Sequence, residues 1–195
     1  MIANFDTMKS GLQAYGGRVA SAVQSSDWGH VADVALAVLK AREEGRWVFV
    51  AGNGGSASTA GHIANDLVKG CTVEGKKRIK AMSLPDALAI ITALGNDIDY
   101  SQVFVEQLKN YAAAGDVFLA VSGSGNSPNV VEAARWAKEN GLVVVAFTGR
   151  DGGKLKPLAD INCIAATDSM AEIEDIHLMW EHALITNICA YVEAE

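Results

Sequence analysis

The stretch Val117-Phe-Leu-Ala-Val-Ser-Gly-Ser-Gly-Asn-Ser-Pro128 passes from an apolar run through a loop of hydroxyls and glycines into a residue suited to open a helix. A short, unbroken apolar run reads as a strand covered on both faces, as in parallel sheets. Ser127 as N-cap and Pro128 at the first helical position read as a helix start. Strand, small loop and helix in this order form the repeating unit of an α/β fold. The loop also places three hydroxyls and several unhindered backbone N–H groups at a helix N-terminus, the geometry that binds a phosphate. One cap needs one hydroxyl, which leaves Ser122 and Ser124 for the anion. The expected ligand is a phosphorylated small molecule.

Working outward, four more apolar runs have strand character: Trp47 to Ala51, Ile79 to Ser83, Leu142 to Phe147 and Ile161 to Ala165. Between the runs, Ala57 to Lys69, Asp86 to Leu94, Gln102 to Ala113, Pro128 to Asn140 and Ala171 to Glu193 read as helices. Two further helices precede the first strand, between Phe5 and Glu44, with Asp27 available to cap the second. The alternation predicts an α/β protein, a three-layer αβα sandwich around a doubly wound, five-stranded parallel sheet of flavodoxin-like type. The chain reads as one domain over 1–195: a helical pair at 1–45 used in oligomerisation, and a sheet core at 46–195. In such sheets the ligand lies beyond the carboxyl ends of the strands.

Composition narrows the function. The chain has 195 residues, half of them hydrophobic, and a formal charge of −7, which argues against a nucleic-acid surface. The segment from Met1 to Arg18 lacks the apolar core of a signal peptide or membrane span. Cys71, Cys163 and Cys189 are odd in number and widely spaced, so neither a disulfide framework nor a thiolate metal knuckle is expected. A reducing cytoplasm fits best.

Three other segments bear on a site. Gly52-Asn-Gly-Gly-Ser56 follows the first strand; Ala57 denies it the dinucleotide fingerprint, and no Gly-Lys-Ser/Thr follows. Gly95-Asn-Asp97 reads as a helix end with Gly in the left-handed conformation. Thr148-Gly-Arg-Asp-Gly-Gly153 reads as a turn or as a loop closing over a ligand. His62 and Asp66 share one face of a predicted helix, close enough to share a metal ion. Glu174, His177, Glu181 and His182 crowd another. Spacing alone also permits a solvated polar face there.

Taken in order, Gly52-Asn-Gly-Gly-Ser56, Gly95-Asn-Asp97, Ser122-x-Ser-Gly-Asn-Ser127 and Thr148-Gly-x-Asp-Gly-Gly153 resemble the SIS (sugar isomerase) domain of bacterial phosphoheptose isomerases, over nearly the whole chain. The resemblance implies a tetramer that converts sedoheptulose 7-phosphate to D-glycero-D-manno-heptose 7-phosphate, on the route to heptose for surface glycans. It implies phosphate contacts from Ser122, Gly123, Ser124 and Ser127, and sugar contacts from Asn53, Gly54, Ser56, Asp97 and Glu174. It also implies a zinc ion on His62, Asp66, Glu174 and His182, with Asp66 as base and His182 as acid. The family has Glu where Asp66 stands and Gln where Glu174 stands; both substitutes remain oxygen ligands. Eight helical residues from Glu174 to His182 rise roughly 12 Å. Either Glu174 precedes the helix, or neighbouring subunits share the site. Isomerisation of another ketose phosphate and a non-catalytic phosphosugar-sensing or protein-binding module are the alternatives.

Overall fold

The computed structural model describes residues 4–195; Met1 to Ala3, the start of the segment read for a leader, lie outside them. The elements run α1 (Phe5–Gln24), α2 (Trp28–Glu43), β1 (Trp47–Ala51), α3 (Gly55–Asn65), β2 (Lys80–Ser83), α4 (Leu88–Asp97), α5 (Val105–Tyr111), β3 (Val117–Ser122), α6 (Pro128–Glu139), β4 (Val143–Gly149), β5 (Ile161–Ala165) and α7 (Met170–Ala194). The strands form one parallel sheet in the order β2-β1-β3-β4-β5. This is the architecture expected from the apolar runs.

Alternation along each strand separates two cores. Val48 and Val50 of β1, Val117, Leu119 and Val121 of β3, and Val145 and Phe147 of β4 face a layer that includes Val34, Val38, Ile63, Ile176 and Trp180. Phe49, Ala51, Phe118, Ala120, Val144 and Ala146 point the other way, towards Leu108, Val130 and Ala134. Period-two alternation inside an all-apolar strand is what burying both faces requires. The chain leaves β1 towards β2 and returns to β3 on β1's other side, so the loops after β1 and β3 flank a topological switch point.

Several local readings need correction. α4 continues to Asp97, and Gly95 sits inside it without a positive φ, because Ile98 N–H still reaches the Leu94 carbonyl. α5 is confined to Val105–Tyr111, preceded by a 3₁₀ turn at Tyr100–Gln102 that Asp99 caps. α3 does not run on as α-helix to Lys69: it widens into a π-helical turn over Asp66–Gly70. The cysteine reading also fails, since Cys71 at the end of that turn is disulfide-bonded to Cys189 of α7, with Cα atoms 4.5 Å apart. Separation along the chain places no limit on proximity once α7 packs beside α3. Among the described residues no helix is long and apolar enough to cross a membrane.

Candidate active site

The two glycine loops meet at the switch point. Gly52 is required by close approach, since a Cβ there would lie 2.6 Å from the Ser56 carbonyl oxygen. The side-chain amides of Asn53 and Asn129 donate to one another's oxygens at 2.8 Å and tie the first loop to α6, while Tyr100 Oη donates to Asn53 Oδ1. Gly125 of the second loop has φ +64°, and a Cβ on it would collide with the Gly152 carbonyl. The Thr148–Gly153 loop therefore buttresses the serine loop rather than standing over a ligand. Lys154 N–H donates to Asn126 Oδ1 and Leu155 N–H to the Gly125 carbonyl.

Between the loops opens a cavity of about 310 Å³, lined by Asn53, Gly54, Gly55, Ser56, Ser122, Gly123, Ser124, Ser127 and Glu174, with Met170 and Val121 behind. Ser127 holds the N-cap position of α6, but its hydroxyl caps no helical N–H; it lies 3.2 Å from Ser122 Oγ. The expected cap is thus absent, and both hydroxyls face the cavity. Ser124 Oγ accepts from Asn126 N–H instead. Among the described residues none lining this cavity is cationic, so an anion there would be held by hydroxyls and by the N-termini of α3 and α6.

Two helical turns further along, α3 and α7 bring together a second group. His62 Nε2 lies 3.5 Å from Asp66 Oδ2, and His62 Nδ1 lies 3.9 Å from Glu181 Oε2. Glu181 Oε2 is also 3.3 Å from His182 Nε2. His62, Glu181 and His182 each offer one ligand atom, all within 4.8 Å of one another. Burial pushes the Glu181 carboxyl above its ordinary range, the two imidazoles pull it back, and the neighbouring Asp66 carboxylate raises it again. Two histidines and a desolvated carboxylate form a donor set for a divalent cation, and the residues present fit one.

Most of the residues singled out from sequence fall in one of these two places. Asn53, Gly54, Ser56, Ser122, Gly123, Ser124 and Ser127 surround the cavity; His62, Asp66 and His182 share the cluster. Glu174 lies inside α7, not before it, and its carboxylate stands against Gly55 in the cavity, where a Cβ would come within 2.7 Å of Oε2. Within one protomer it is therefore not beside His182. Asp97 ends α4, exposed, accepting from Asn96 Nδ2, and does not line the cavity. His177 is buried, with Nε2 3.0 Å from the Thr148 carbonyl and its ring stacked on Trp180, so it is a core residue. Glu181 was missed as a site residue. It occupies the core stripe Ile173-His177-Glu181-Leu184-Ile188, and a carboxylate at a core position of that period is the available signal.

The fold and site define a doubly wound α/β domain with a hydroxyl- and glycine-lined cavity at its switch point, and a sequence profile of the SIS domain family matches residues 13–149; the chain belongs to that family. Within it, the chain is similar to phosphoheptose isomerases. That of Sulfurimonas denitrificans is 40% identical over 147 residues, covering 75% of this chain and 73% of the relative. That of a Bradyrhizobium species (strain ORS 278) is 38% identical, covering 83% and 79%. The solved phosphoheptose isomerase of Neisseria gonorrhoeae superposes with a TM-score of 0.85 at 29% identity, covering 95% of this chain and 98% of that one.

Proposed function

We propose that the protein is an aldose–ketose isomerase acting on sedoheptulose 7-phosphate to give D-glycero-D-manno-heptose 7-phosphate. The observation that carries this is the shared scaffolding of the two places. Gly55 and His62 on α3, and Glu174 and Glu181 on α7, are each separated by two helical turns, roughly 11 Å. A phosphate held at the serine loop leaves the far end of an extended sugar beside the imidazoles and carboxylates. The similarity to phosphoheptose isomerases supports an enzyme over a non-catalytic module.

In this reading Ser122, Gly123, Ser124 and Ser127 take the phosphate, and Asn53, Gly54, Ser56 and Glu174 take sugar hydroxyls. Asp97 would join them through a movement of the α4 end or from a neighbouring subunit. Isomerisation moves a proton between adjacent carbons through an enediol. Asp66 takes the carbon-bound proton, and His182 moves the proton on oxygen. A cation, Zn²⁺ on the chemistry of the donors, would be held by His62 and His182 with carboxylates beside them, Asp66 and Glu174 in the family pattern. When bound, it polarises the substrate carbonyl.

We place the chain in the cytoplasm as one domain over 1–195 and as a homotetramer with active sites between subunits. Exposed Phe5, Met8 and Leu12 of α1, with Trp28 and Leu36 of α2, are the surface that copies would cover.

The test is incubation with sedoheptulose 7-phosphate, with and without a chelator, and detection of the aldose. Conversion that the chelator stops is expected. No conversion in the presence of added zinc overturns the heptose assignment, and a panel of ketose phosphates then finds the sugar.

A further inference from the structure

We infer that Glu181, together with His62 and His182, is a direct ligand of the divalent cation, in the place that the family pattern gives to Glu174. The inference rests on the reading of this cluster as cation-binding and deepens it.

Geometry comes first. Around a tetrahedral ion with bonds of roughly 2.0–2.2 Å, ligand atoms stand about 3.4 Å apart. The Glu181 oxygen lies 3.3 Å from His182 Nε2 and 3.9 Å from His62 Nδ1, so small side-chain adjustments complete the set. Glu174, two turns earlier on α7, points its carboxylate at Gly55. Asp66 addresses the other ring nitrogen of His62, where a carboxylate orients an imidazole ligand.

The second observation is independent of those distances. Glu181 is only 1% exposed, and with both carboxylates ionised neither of its side-chain oxygens meets a hydrogen-bond donor among the described residues, its neighbour Asp66 being a second acceptor. Behind it lie Val34, Val38, Ile63, Leu67 and Leu184, which exclude water and offer no donor. A carboxylate kept in such a place without a partner is costly to the fold unless something cationic meets it. On its polar side stand the two imidazoles and the Asp66 carboxylate, and a second carboxylate beside the first adds to the need for a cation between them. Glu181 and Asp66 together also bring two negative charges to an ion carrying two positive ones.

Zinc affinity tests the inference without reference to turnover. The purified protein is stripped by dialysis against a chelator, and Zn²⁺ binding is measured by competition with a chromophoric chelator for wild type, Glu181→Leu and Glu174→Ala, each of which removes the oxygen donor. Loss of an outer-sphere partner costs about 10- to 100-fold in affinity. Glu181→Leu is expected to weaken binding by at least about 100-fold, while Glu174→Ala stays within about threefold of wild type. A smaller loss in Glu181→Leu, or a loss of about 100-fold in Glu174→Ala, overturns the assignment and leaves the cation site standing. Failure of wild type to bind zinc overturns both. Melting of the stripped Glu181→Leu protein at or above the wild-type temperature would show that the loss is not unfolding; if this variant does not fold, the Glu174→Ala result decides.

Discussion

His62 of α3 and His182 of α7 meet edge to face, their ring centroids 5.0 Å apart. Neither helix brings them together alone: α3 and α7 must pack side by side along the same face of the sheet. The contact sets His182, the proton carrier of the proposed reaction, beside His62, two turns from the glycine loops.

His182→Gln removes the proposed proton carrier but leaves the serine loop untouched. Turnover is expected to fall about 10²- to 10⁴-fold, the range for a lost general acid–base. Binding of the sugar phosphate, measured by calorimetry, should be largely retained. Unchanged turnover would remove His182 from the proton path.

Ser122 and Ser127 present hydroxyls 3.2 Å apart towards the cavity. Hydrogen bonds to a charged group contribute about 1.5–3 kcal/mol. Ser122→Ala and Ser127→Ala should each raise KM for the phosphosugar roughly 10- to 100-fold, with a smaller change in kcat. Equal affinity for substrate in both variants would place the phosphate elsewhere.

His177 links acidity to stability. Burial lowers its pKa to about 4, with the bond to the Thr148 carbonyl opposing, against an ordinary value of 6.5. The unfolded chain takes up this proton near pH 6.5 and the folded chain only near pH 4, so stability is full above 6.5 and is lost as pH falls between the two. The full loss is about 3 kcal/mol. Urea unfolding at pH 7 and pH 4.5 should show a steeper decline for wild type than for His177→Leu. Equal slopes would refute the assignment. The variant should be less stable at pH 7 in any case, because the buried Thr148 carbonyl loses its donor.

Periodicity made the sheet legible. Runs such as Trp47–Ala51 and Val117–Val121 are short, rich in β-branched and aromatic residues and followed by glycine loops, which favours strands buried on both faces, and Ser127-Pro128 opens α6 where expected. The glycine loops were legible for a related reason: Gly52 and Gly125 stand where a Cβ would strike backbone. Local boundaries were harder, since Gly95 is tolerated inside α4 and the π-helical turn at Asp66 carries no local signature.

What the linear order determined, then, is the parallel α/β sheet, the two hydroxyl- and glycine-rich turns at its carboxyl rim, and the pairing of His62 with Asp66 one helical turn apart. Each depends on neighbours along the chain. Tertiary packing alone decided which acid faces which base. It swung Glu174 into the cavity between the glycine loops, sank Glu181 beneath the two imidazoles, withdrew His177 into the core and joined Cys71 to Cys189. The rotation of α7 against α3 sets these contacts, and that rotation follows from how Ile176, Trp180, Leu184 and Ile188 fill one core, a property of the whole interface and of no single segment.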